Sequence, residues 1–414
     1  MELNYKIAII GQGYVGLPLA ISFSKFYDTI GYDKSLDRID ELNREYDRNL
    51  ENEVKANKLL NFSCNKDDIK DCNIFIITVP TPVKENNLPD LSFVNSASLL
   101  VSKYLKKGDI VIYESTVYPG VTEDICVPLL EKESNLVFNK DFYCGYSPER
   151  INPGNNSKKV NNIVKVTSGS NDTIANVVDD LYKKIIDAGT FKAPSIKVAE
   201  AAKVVENIQR DVNIALMNEL AIIFDNINIS TSEVLEAAKT KWNFLDFQPG
   251  LVGGHCIGVD PYYMIYKSKE FGYFPNLINK SRELNNSIPN FIIDKTIELL
   301  SKHKKNIEKS NVLILGYTFK ENCNDIRNTQ VEKILSGLNH LGCFVDIYDP
   351  LIKIEHNNLI ENPFKASNKY DAIIAAVSHN EFYDYTINDF KQISNENLVL
   401  LDIKSMYSFS TWKF

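Results

Sequence analysis

Short apolar runs alternate with helical patterns over the first half of the chain. Runs rich in β-branched residues occur at residues 5–10, 73–79, 109–113 and 142–145, and each has the length of a buried strand. The segments between them repeat their apolar residues at the spacing of amphipathic helices. This alternation predicts a parallel sheet connected by crossover helices.

The second half of the chain opens with a long helical pattern. Residues 195–228 contain few helix-breaking residues, and their apolar and charged side chains fall on separate stripes, which predicts one long connecting helix. A second alternating region starts at residues 311–316 and continues through a helix near residues 328–341. Its later strand-like runs are residues 343–348, 371–377 and 398–403. We therefore expect a second α/β region.

The length of the chain favours more than one domain. At 414 residues it exceeds the size at which a single hydrophobic core usually stops growing. Boundaries are expected near Ile196 and in the polar stretch 303–310, where helical sequence gives way to charged sequence. We therefore predict three domains, which are residues 1–195, 196–303 and 304–414.

Composition and charge narrow the class of protein. With 44% hydrophobic and 24% charged residues the chain is typical of a packed globular protein. Its net charge of −8 argues against nucleic-acid binding, which needs a basic surface. The chain starts without a signal-peptide pattern and has no apolar window long enough for a membrane span. Its seven cysteines form no CxxC pair, which predicts reduced thiols in the cytoplasm, with no disulfide framework and no metal.

A glycine-rich motif, GQGYVG at residues 11–16, lies between the first predicted strand and a helical pattern that starts at Leu17. Its glycines (Gly11, Gly13 and Gly16) permit a tight turn, close approach to a pyrophosphate and close packing of helix on strand. The helix N-terminus attracts negative charge. The motif in this context predicts a dinucleotide site.

The second strand of this region, residues 29–32, ends at Asp33. An acid about 20 residues after the first glycine accepts hydrogen bonds from the adenine ribose, and its charge repels a 2'-phosphate. Asp33 therefore favours NAD over NADP. Arg38 follows closely, and its positive charge softens this preference.

A second motif, GLVGGHCIGVDP at residues 250–261, places a thiol in a loop dense in glycine. A thiolate is a strong nucleophile, and nearby cations or N–H groups activate it. We therefore predict that Cys256 is a catalytic nucleophile, with Asp260 four positions further on holding a water or an amine beside it. Adjacent side chains usually point apart, so His255 is expected to structure the loop. The other cysteines are predicted to be small core residues, and they are Cys64, Cys72, Cys126, Cys144, Cys323 and Cys343.

Together these motifs resemble the UDP-glucose/GDP-mannose dehydrogenase family, and the resemblance covers nearly the whole chain. The matching segments, in the family's order, are residues 11–16, 79–82, 114–120 (ESTVYPG), 147–150 (SPER), Lys203 with Asn207, the Cys256 loop, and residues 315–320 (LGYTFK). The resemblance implies an α/β fold with an N-terminal NAD-binding Rossmann domain, a central helical dimerisation domain and a C-terminal Rossmann-like domain that binds UDP. It also implies a homodimer.

The resemblance further implies a four-electron oxidation of a nucleotide sugar, in which an alcohol becomes an aldehyde and then a carboxylate while two NAD molecules are reduced. Cys256 would hold the intermediate as a thiohemiacetal and then a thioester. Lys203 and Asn207 would stabilise the oxyanion. Three further residues would position water and move protons, and they are Asp260, Thr116 and Glu149.

The remaining site residues implied by the resemblance divide into two groups. Besides the glycines, Asp33 and Arg38, the cofactor group contains Tyr14, Val15, Pro80, Thr81 and Thr116. The substrate group contains Glu149, Arg150, Ile151, Lys203, Asn207, Asn243, Phe244, Leu245, Gly250, Gly253, Lys320 and Arg327. Of these, Lys320 would face the nucleotide sugar and Arg327 would add charge near its phosphates.

The segments around Cys256 and Glu149 resemble the branch of the family that acts on UDP-N-acetylhexosamines for capsule or O-antigen polysaccharide. UDP-glucose members typically have SCFPKD around the nucleophile, where this chain has HCIGVD, and a second glutamate soon after Pro-Glu, where this chain has Pro153. UDP-GlcNAc or UDP-GalNAc is therefore the preferred substrate. Gln248 stands where several relatives of this branch have an arginine.

Other functions stay open on the sequence alone. UDP-glucose and GDP-mannose are alternative substrates of the same reaction. A two-electron hydroxyacid dehydrogenase shares the N-terminal pattern, does not need Cys256 and yields one NADH for each substrate. A regulatory protein that binds NAD without turnover yields none.

Overall fold

The computed structural model describes residues 5–48, 52–53, 57–150, 160–352, 356–365 and 369–414. The chain forms two compact units. The first consists of residues 1–206 and 262–272, and the second consists of residues 207–261 and 273–414. The three domains expected from the sequence, and the two boundaries between them, stay a prediction.

The first unit is built on one large sheet. The strands of the unit are β1 Lys6–Ile10, β2 Asp28–Tyr32, β3 Tyr46–Asp47, β4 Asn52–Glu53, β5 Leu60–Ser63, β6 Ile74–Ile77, β7 Ile110–Tyr113, β8 Tyr143–Tyr146, β9 Lys165–Gly169 and β10 Thr190–Lys192. Of these, β3 and β4 form a separate two-stranded sheet. Its helices are α1 Gly16–Phe23, α2 Leu36–Asn43, α3 Ser92–Ser102, α4 Val127–Ser134, α5 Asp172–Lys183 and the first part of α6 Ile196–Asn226.

Eight of these strands pair in the order β10-β9-β8-β7-β6-β1-β2-β5. The strands predicted from the sequence (β1, β2, β6, β7 and β8) all pair in parallel, which confirms the predicted parallel sheet. The pairing of β8 with β9, a strand that was not predicted, is antiparallel. Buried apolar side chains cover both faces of the sheet in two clusters. This is the arrangement expected when crossover helices pack on both faces.

The second unit contains the rest of the chain's elements. They are α7 Thr231–Lys239, α8 Asp260–Glu270 (most of which belongs to the first unit), α9 Asn276–Lys302, β11 Asn311–Leu315, α10 Val331–His340, β12 Phe344–Tyr348, β13 Ala372–Ala375, α11 Ile387–Ile393, β14 Leu400–Asp402 and β15 Trp412–Lys413. Its strands form a parallel sheet in the order β12-β11-β13-β14-β15. Two apolar clusters again cover its faces.

The elements predicted from the hydrophobic pattern are present, with ends that differ by a few residues. The long helix expected over residues 195–228 is α6, Ile196–Asn226. None of the seven cysteines, all of which lie among the described residues, forms a disulfide, and five of the six expected in the core are buried. The exception is Cys64, which is half-buried after the edge strand β5, so its assignment to the core was wrong.

Candidate active site

The glycine loop of the first unit has the backbone geometry of a dinucleotide-binding turn. Gly11 has a φ of +100° and donates its N–H to the Tyr32 carbonyl at 2.8 Å. A Cβ on Gly16 would lie 1.8 Å from the Gly11 carbonyl oxygen, so α1 packs on the turn at a distance that only glycine permits. A Cβ on Gly13 would meet no atom within 4 Å, because this glycine faces open space.

The acid after β2 supports the same loop. One carboxylate oxygen of Asp33 accepts the Gln12 N–H at 2.8 Å, and the other accepts the Ser35 N–H at 2.9 Å. Arg38 is buried, its Nε donates to the Gln12 carbonyl at 2.8 Å, and its guanidinium also pairs with Glu41 and Asp47. Arg38 therefore stabilises the glycine loop. Because its guanidinium is already paired with two carboxylates, Arg38 attracts a 2'-phosphate less strongly.

These features fit an NAD molecule. The exposed Gly13 leaves room for a pyrophosphate at the start of α1, and the half-buried Asp33 retains acceptor capacity for ribose hydroxyls. The other expected cofactor residues lie in the same unit. Tyr14 and Val15 are half-buried between the turn and α1, Pro80 and Thr81 follow β6, and Thr116 is half-buried after β7. The Thr81 carbonyl accepts a hydrogen bond from the Tyr263 hydroxyl.

A cluster of charged residues lies on or directly after three neighbouring strands of this sheet. Glu114 follows β7, Glu149 lies in the loop after β8, and Lys165 begins β9. The Lys165 ammonium lies 2.5 Å from Glu114 and 3.6 Å from Glu149. The Tyr182 hydroxyl donates to the other oxygen of Glu114. Burial raises the pKa of Glu114 to about 7, although Lys165 lowers it.

The other predicted residues of the first unit have different surroundings. Arg150 pairs with Glu206 on α6 and donates to the Val164 carbonyl at 2.8 Å. Lys203, also on α6, is 9% exposed, so it is not the solvated surface lysine that is typical of helices. Ile151 lies outside the described residues.

The Cys256 loop of the second unit is bonded to α6 at its start and packs against residues 319–329. Asn218 on α6 bonds both backbone groups of Gly250, donating to its carbonyl at 3.1 Å and accepting its N–H at 2.7 Å. A Cβ on Gly253 would lie 2.8 Å from the Asn328 carbonyl oxygen, and one on Gly254 would lie 2.7 Å from the Phe319 ring. The glycines of this loop therefore permit its close packing against residues 319–329.

Cys256 itself is half-buried at the start of a turn that leads into α8. Its carbonyl accepts the N–H groups of Val259 at 3.0 Å and Asp260 at 2.8 Å. The buried Asp260 accepts a hydrogen bond from the Asn207 side chain at 2.5 Å. The structure thus brings together Asn207 and Asp260, which are separated by 53 residues in sequence, at the turn that carries Cys256.

His255 has the structural surroundings expected from the sequence. Its Nδ1 lies 3.8 Å from Asp325, and its ring contacts Phe319 edge to face. Arg327 pairs with Asp325 at 2.5 Å and has a half-exposed side chain, so its contact with a phosphate stays a prediction. Lys320 is half-buried, with its ammonium 5.7 Å from the centre of the Phe319 ring.

A buried pair fixes the turn that carries Lys320. Asp349, at the end of β12, accepts the N–H groups of Tyr317 at 2.7 Å and Thr318 at 3.1 Å. His379 lies 3.0 Å from Asp349, and its other ring nitrogen accepts the Asn322 N–H at 3.0 Å. The pair therefore bonds the turn before and after Lys320.

Three predicted substrate residues lie on the surface of the second unit. Asn243 and Leu245 are exposed and Phe244 is half-buried, beside a Trp242 that is 88% exposed. Gln248 is also exposed and donates to Asp246 at 2.6 Å. No contact in this segment tests the predicted substrate role.

Sequence reasoning missed several residues that build these sites. Asn218 is one of several polar residues that α6 buries, and a polar residue at a buried position of the helical repeat is a signal that periodicity contains. Asp349 stands at the end of the second strand of its sheet, as Asp33 does, and a comparison of the two halves of the chain would have found it. Lys165 gives no such local signal.

The glycine turn with its acid in the first unit and the second parallel sheet in the second unit are typical of a dinucleotide-dependent oxidoreductase. Three family models match the chain in order. They are the NAD binding domain (residues 5–186), the central domain (residues 197–287) and the UDP binding domain (residues 313–409) of the UDP-glucose/GDP-mannose dehydrogenase family. The chain belongs to this family and is an NAD-dependent nucleotide-sugar dehydrogenase.

Its relatives extend over nearly the full length. The chain is 51% identical over 406 residues to the UDP-N-acetyl-D-glucosamine 6-dehydrogenase of Salmonella typhi, with 96% of each chain covered. It is 46% identical to protein CapL of Staphylococcus aureus, covering 98% of this chain and 96% of CapL. The structure of the UDP-D-ManNAc dehydrogenase from Pyrococcus horikoshii superposes with a TM-score of 0.89 at 29% identity, covering 99% of this chain and 98% of that chain.

Among the residues that the structure describes, none of the helices combines the length and apolar character that crossing a membrane requires.

Proposed function

We propose that the chain oxidises the C6 hydroxyl of a UDP-N-acetylhexosamine to the carboxylate, with UDP-GlcNAc as the first choice and UDP-GalNAc as the second. The observation that carries this proposal is the 51% identity over 406 residues to the Salmonella typhi enzyme, whose name specifies UDP-N-acetyl-D-glucosamine and position 6. A relative of the same name from Pseudomonas aeruginosa is 50% identical over 408 residues.

The proposed mechanism assigns the first unit to cofactor binding and proton handling. Gly11, Gly13, Gly16 and Asp33 hold the dinucleotide, with Tyr14, Val15, Pro80, Thr81 and Thr116 around it. When bound, NAD supplies the hydride acceptor for both oxidations. Thr116 and Glu149 position water, and Lys203 stabilises negative charge on the substrate oxygen as the hydroxyl loses its proton.

The second unit supplies the covalent step. Cys256 Sγ adds to the aldehyde carbon and gives a thiohemiacetal, whose oxidation leaves a thioester. Water then attacks the carbonyl carbon, the C–S bond breaks, and the sulfur leaves as the thiolate. Asp260 holds a proton or a water at this centre, and Asn207, which bonds it at 2.5 Å, fixes its orientation. Lys320 and Arg327 neutralise the diphosphate.

The direct test is an endpoint count of NADH with limiting UDP-GlcNAc, UDP-GalNAc, UDP-ManNAc, UDP-glucose and GDP-mannose in parallel, with mass analysis of the products. We expect two NADH for each UDP-GlcNAc and a product heavier by 14 Da, which corresponds to CH2OH becoming COOH. One NADH for each sugar would support a two-electron dehydrogenase instead. Preferential turnover of UDP-glucose or GDP-mannose would keep the reaction and replace the substrate.

We further propose that the enzyme is a cytoplasmic homodimer that supplies a uronic-acid precursor for surface polysaccharide, with domains at residues 1–195, 196–303 and 304–414. The exposed apolar residues of α6, among them Val205, Leu216 and Ile223, support a partner surface on this helix. Sedimentation of the wild-type chain as a monomer at micromolar concentration would contradict the dimer.

A further inference from the structure

The loop that carries Glu149 is attached to β9 at two consecutive residues. The Ser147 hydroxyl donates to the Val166 carbonyl at 2.7 Å, and the Lys165 ammonium lies 3.6 Å from Glu149 Oε2. The other carboxylate oxygen, Oε1, accepts the Arg150 N–H at 2.6 Å. Both oxygens of Glu149 therefore face positive or N–H groups, which limits the orientations of its carboxylate.

Lys165 occupies an unusual place for a lysine. Its side chain is 4% exposed, and burying an ammonium costs several kcal/mol unless it is paired and hydrogen-bonded. Glu114, at 2.5 Å, already provides that partner, and Tyr182 holds Glu114 by a hydrogen bond to its other oxygen. The second carboxylate, Glu149, is therefore not needed to keep Lys165 buried, so the contact is better explained by what it does for Glu149.

The charges of the cluster support an effect of Lys165 on Glu149. Two carboxylates share one ammonium, and burial raises the pKa of Glu114 to about 7, against the lowering effect of Lys165. Burial lowers the pKa of Lys165, but Glu114 and Glu149 outweigh burial and raise it. The ammonium therefore stays charged between the two carboxylates.

We propose that Lys165 is a positioning residue that holds the Glu149 carboxylate as the base for thioester hydrolysis. This inference rests on the proposed function, in which Cys256 carries a thioester. Glu149 accepts a proton from the attacking water as the oxygen bonds to the carbonyl carbon, and the broken C–S bond returns the sulfur as thiolate. Lys165 exchanges no proton in this step.

The test is Lys165→Met, followed by stopped-flow NADH detection and intact-protein mass spectrometry. We expect a burst of two NADH for each active site, because both oxidations precede hydrolysis, and then a steady rate at least about tenfold below wild type. The protein should gain the mass of a UDP-uronyl group, and the adduct should map to Cys256. Glu149→Gln is expected to give the same burst and the same adduct.

Two further variants separate positioning from stability. Tyr182→Phe removes a buried hydrogen bond of the same cluster without touching Glu149, so it should destabilise the protein while giving neither burst nor adduct. The double variant Glu114→Gln/Lys165→Met leaves no uncompensated charge on Glu114, so it serves if Lys165→Met alone does not fold. It should still accumulate the adduct.

Each outcome is informative. Turnover by a folded Lys165 variant without adduct, while Glu149→Gln accumulates it, would overturn the inference and leave the proposed function intact. Absence of an adduct in Glu149→Gln would also overturn it, because Lys165 would then have no base to position. If the wild type yields fewer than two NADH for each sugar, the proposed function itself fails.

Discussion

The two sheets of this chain use the same turn for different purposes. The four strands β2-β1-β6-β7 and the four strands β12-β11-β13-β14 have equivalent orders. In each, the first strand is followed directly by a glycine with left-handed φ, +100° at Gly11 and +89° at Gly316. Both glycines donate an N–H to the neighbouring strand at 2.8 Å. The first turn continues with further glycines and leaves space open, whereas the second continues with Phe319 and Lys320. Because the two turns share the same backbone geometry, the difference in what they can bind comes from their side chains.

The acids that follow the second strands differ in the same way. Asp33 is half-buried and accepts one N–H on each oxygen, so it keeps acceptor capacity for a ligand. Asp349 is 4% exposed, and a single oxygen of its carboxylate receives Tyr317, Thr318 and His379. Of the two equivalent acids, Asp33 is therefore the one expected to bind a ligand, whereas Asp349 bonds the fold.

The largest expected effect separates covalent chemistry from cofactor binding. Cys256→Ala should lower the rate of carboxylate formation by at least about 10³-fold, because the nucleophile belongs to a group of residues that act together. The Kd for NAD, measured by calorimetry, should stay unchanged, since the glycine turn belongs to the first unit. Cys64→Ala, which alters a half-buried thiol of that unit, is the matched control and should keep full activity. Full turnover by Cys256→Ala would remove the thioester from the mechanism.

A second prediction tests whether Asp349 serves the fold. Asp349→Asn should lower the free energy of unfolding at pH 7 by about 3 kcal/mol, as expected for breaking a buried hydrogen-bonded pair. Burial raises the pKa of Asp349, but His379 and the backbone N–H groups outweigh burial and lower it overall. Because the folded-state pKa is depressed, this stabilisation is present above the unfolded pKa of about 4 and is lost as the pH falls. Urea unfolding should therefore give a smaller difference from wild type below pH 4 than at pH 7.

The matched variant is Asp33→Asn. It should cost less than about 1 kcal/mol, because the side chain is half-buried: the amide oxygen keeps one of the two N–H bonds, and water can accept the N–H that is released. It should instead reduce the preference for NAD over NADP. An equal loss of stability in the two variants would show that the two acids do not differ in role.

Features whose residues lie close together in sequence were predicted, whereas features that depend on distant residues were not. The glycine turn, Asp33 and the Cys256 loop were found because their residues are close in sequence and their types are chemically distinctive. The strand β9 and its antiparallel pairing with β8 were missed, because its sequence, KVTSG, is not an apolar run. The contact of Lys165 with Glu114 spans 51 residues, and nothing near either residue indicates it. The roles of the site residues stay predictions.

A third prediction concerns a buried acid whose pKa shifts in the opposite direction. Glu200 on α6 accepts the N–H groups of Gly120 at 2.6 Å and Thr122 at 2.9 Å, yet burial dominates and raises its pKa to about 7. A raised pKa contributes stability that is complete below the unfolded pKa and is lost as the pH rises through the folded pKa. Relative to wild type, Glu200→Gln should therefore gain about 2 kcal/mol between pH 5 and pH 7. Urea unfolding followed by circular dichroism measures this, and a constant difference over that range would contradict the shift.

The smallest expected effect tests the open space above the first turn. A Cβ on Gly13 meets no protein atom within 4 Å, so Gly13→Ala should change the free energy of unfolding by less than about 0.5 kcal/mol. If the pyrophosphate occupies that space, the same methyl group should raise the Kd for NAD by about tenfold, which corresponds to about 1.4 kcal/mol. Gly16→Ala is the contrasting variant, because its Cβ would lie 1.8 Å from the Gly11 carbonyl oxygen and must move backbone, at a cost of about 1–3 kcal/mol in stability. Calorimetric titration with NAD and urea unfolding separate the two effects. Unchanged NAD affinity in Gly13→Ala would mean that the cofactor does not approach this glycine. The difference between the turn at Gly11 and the turn at Gly316 would then not explain cofactor binding.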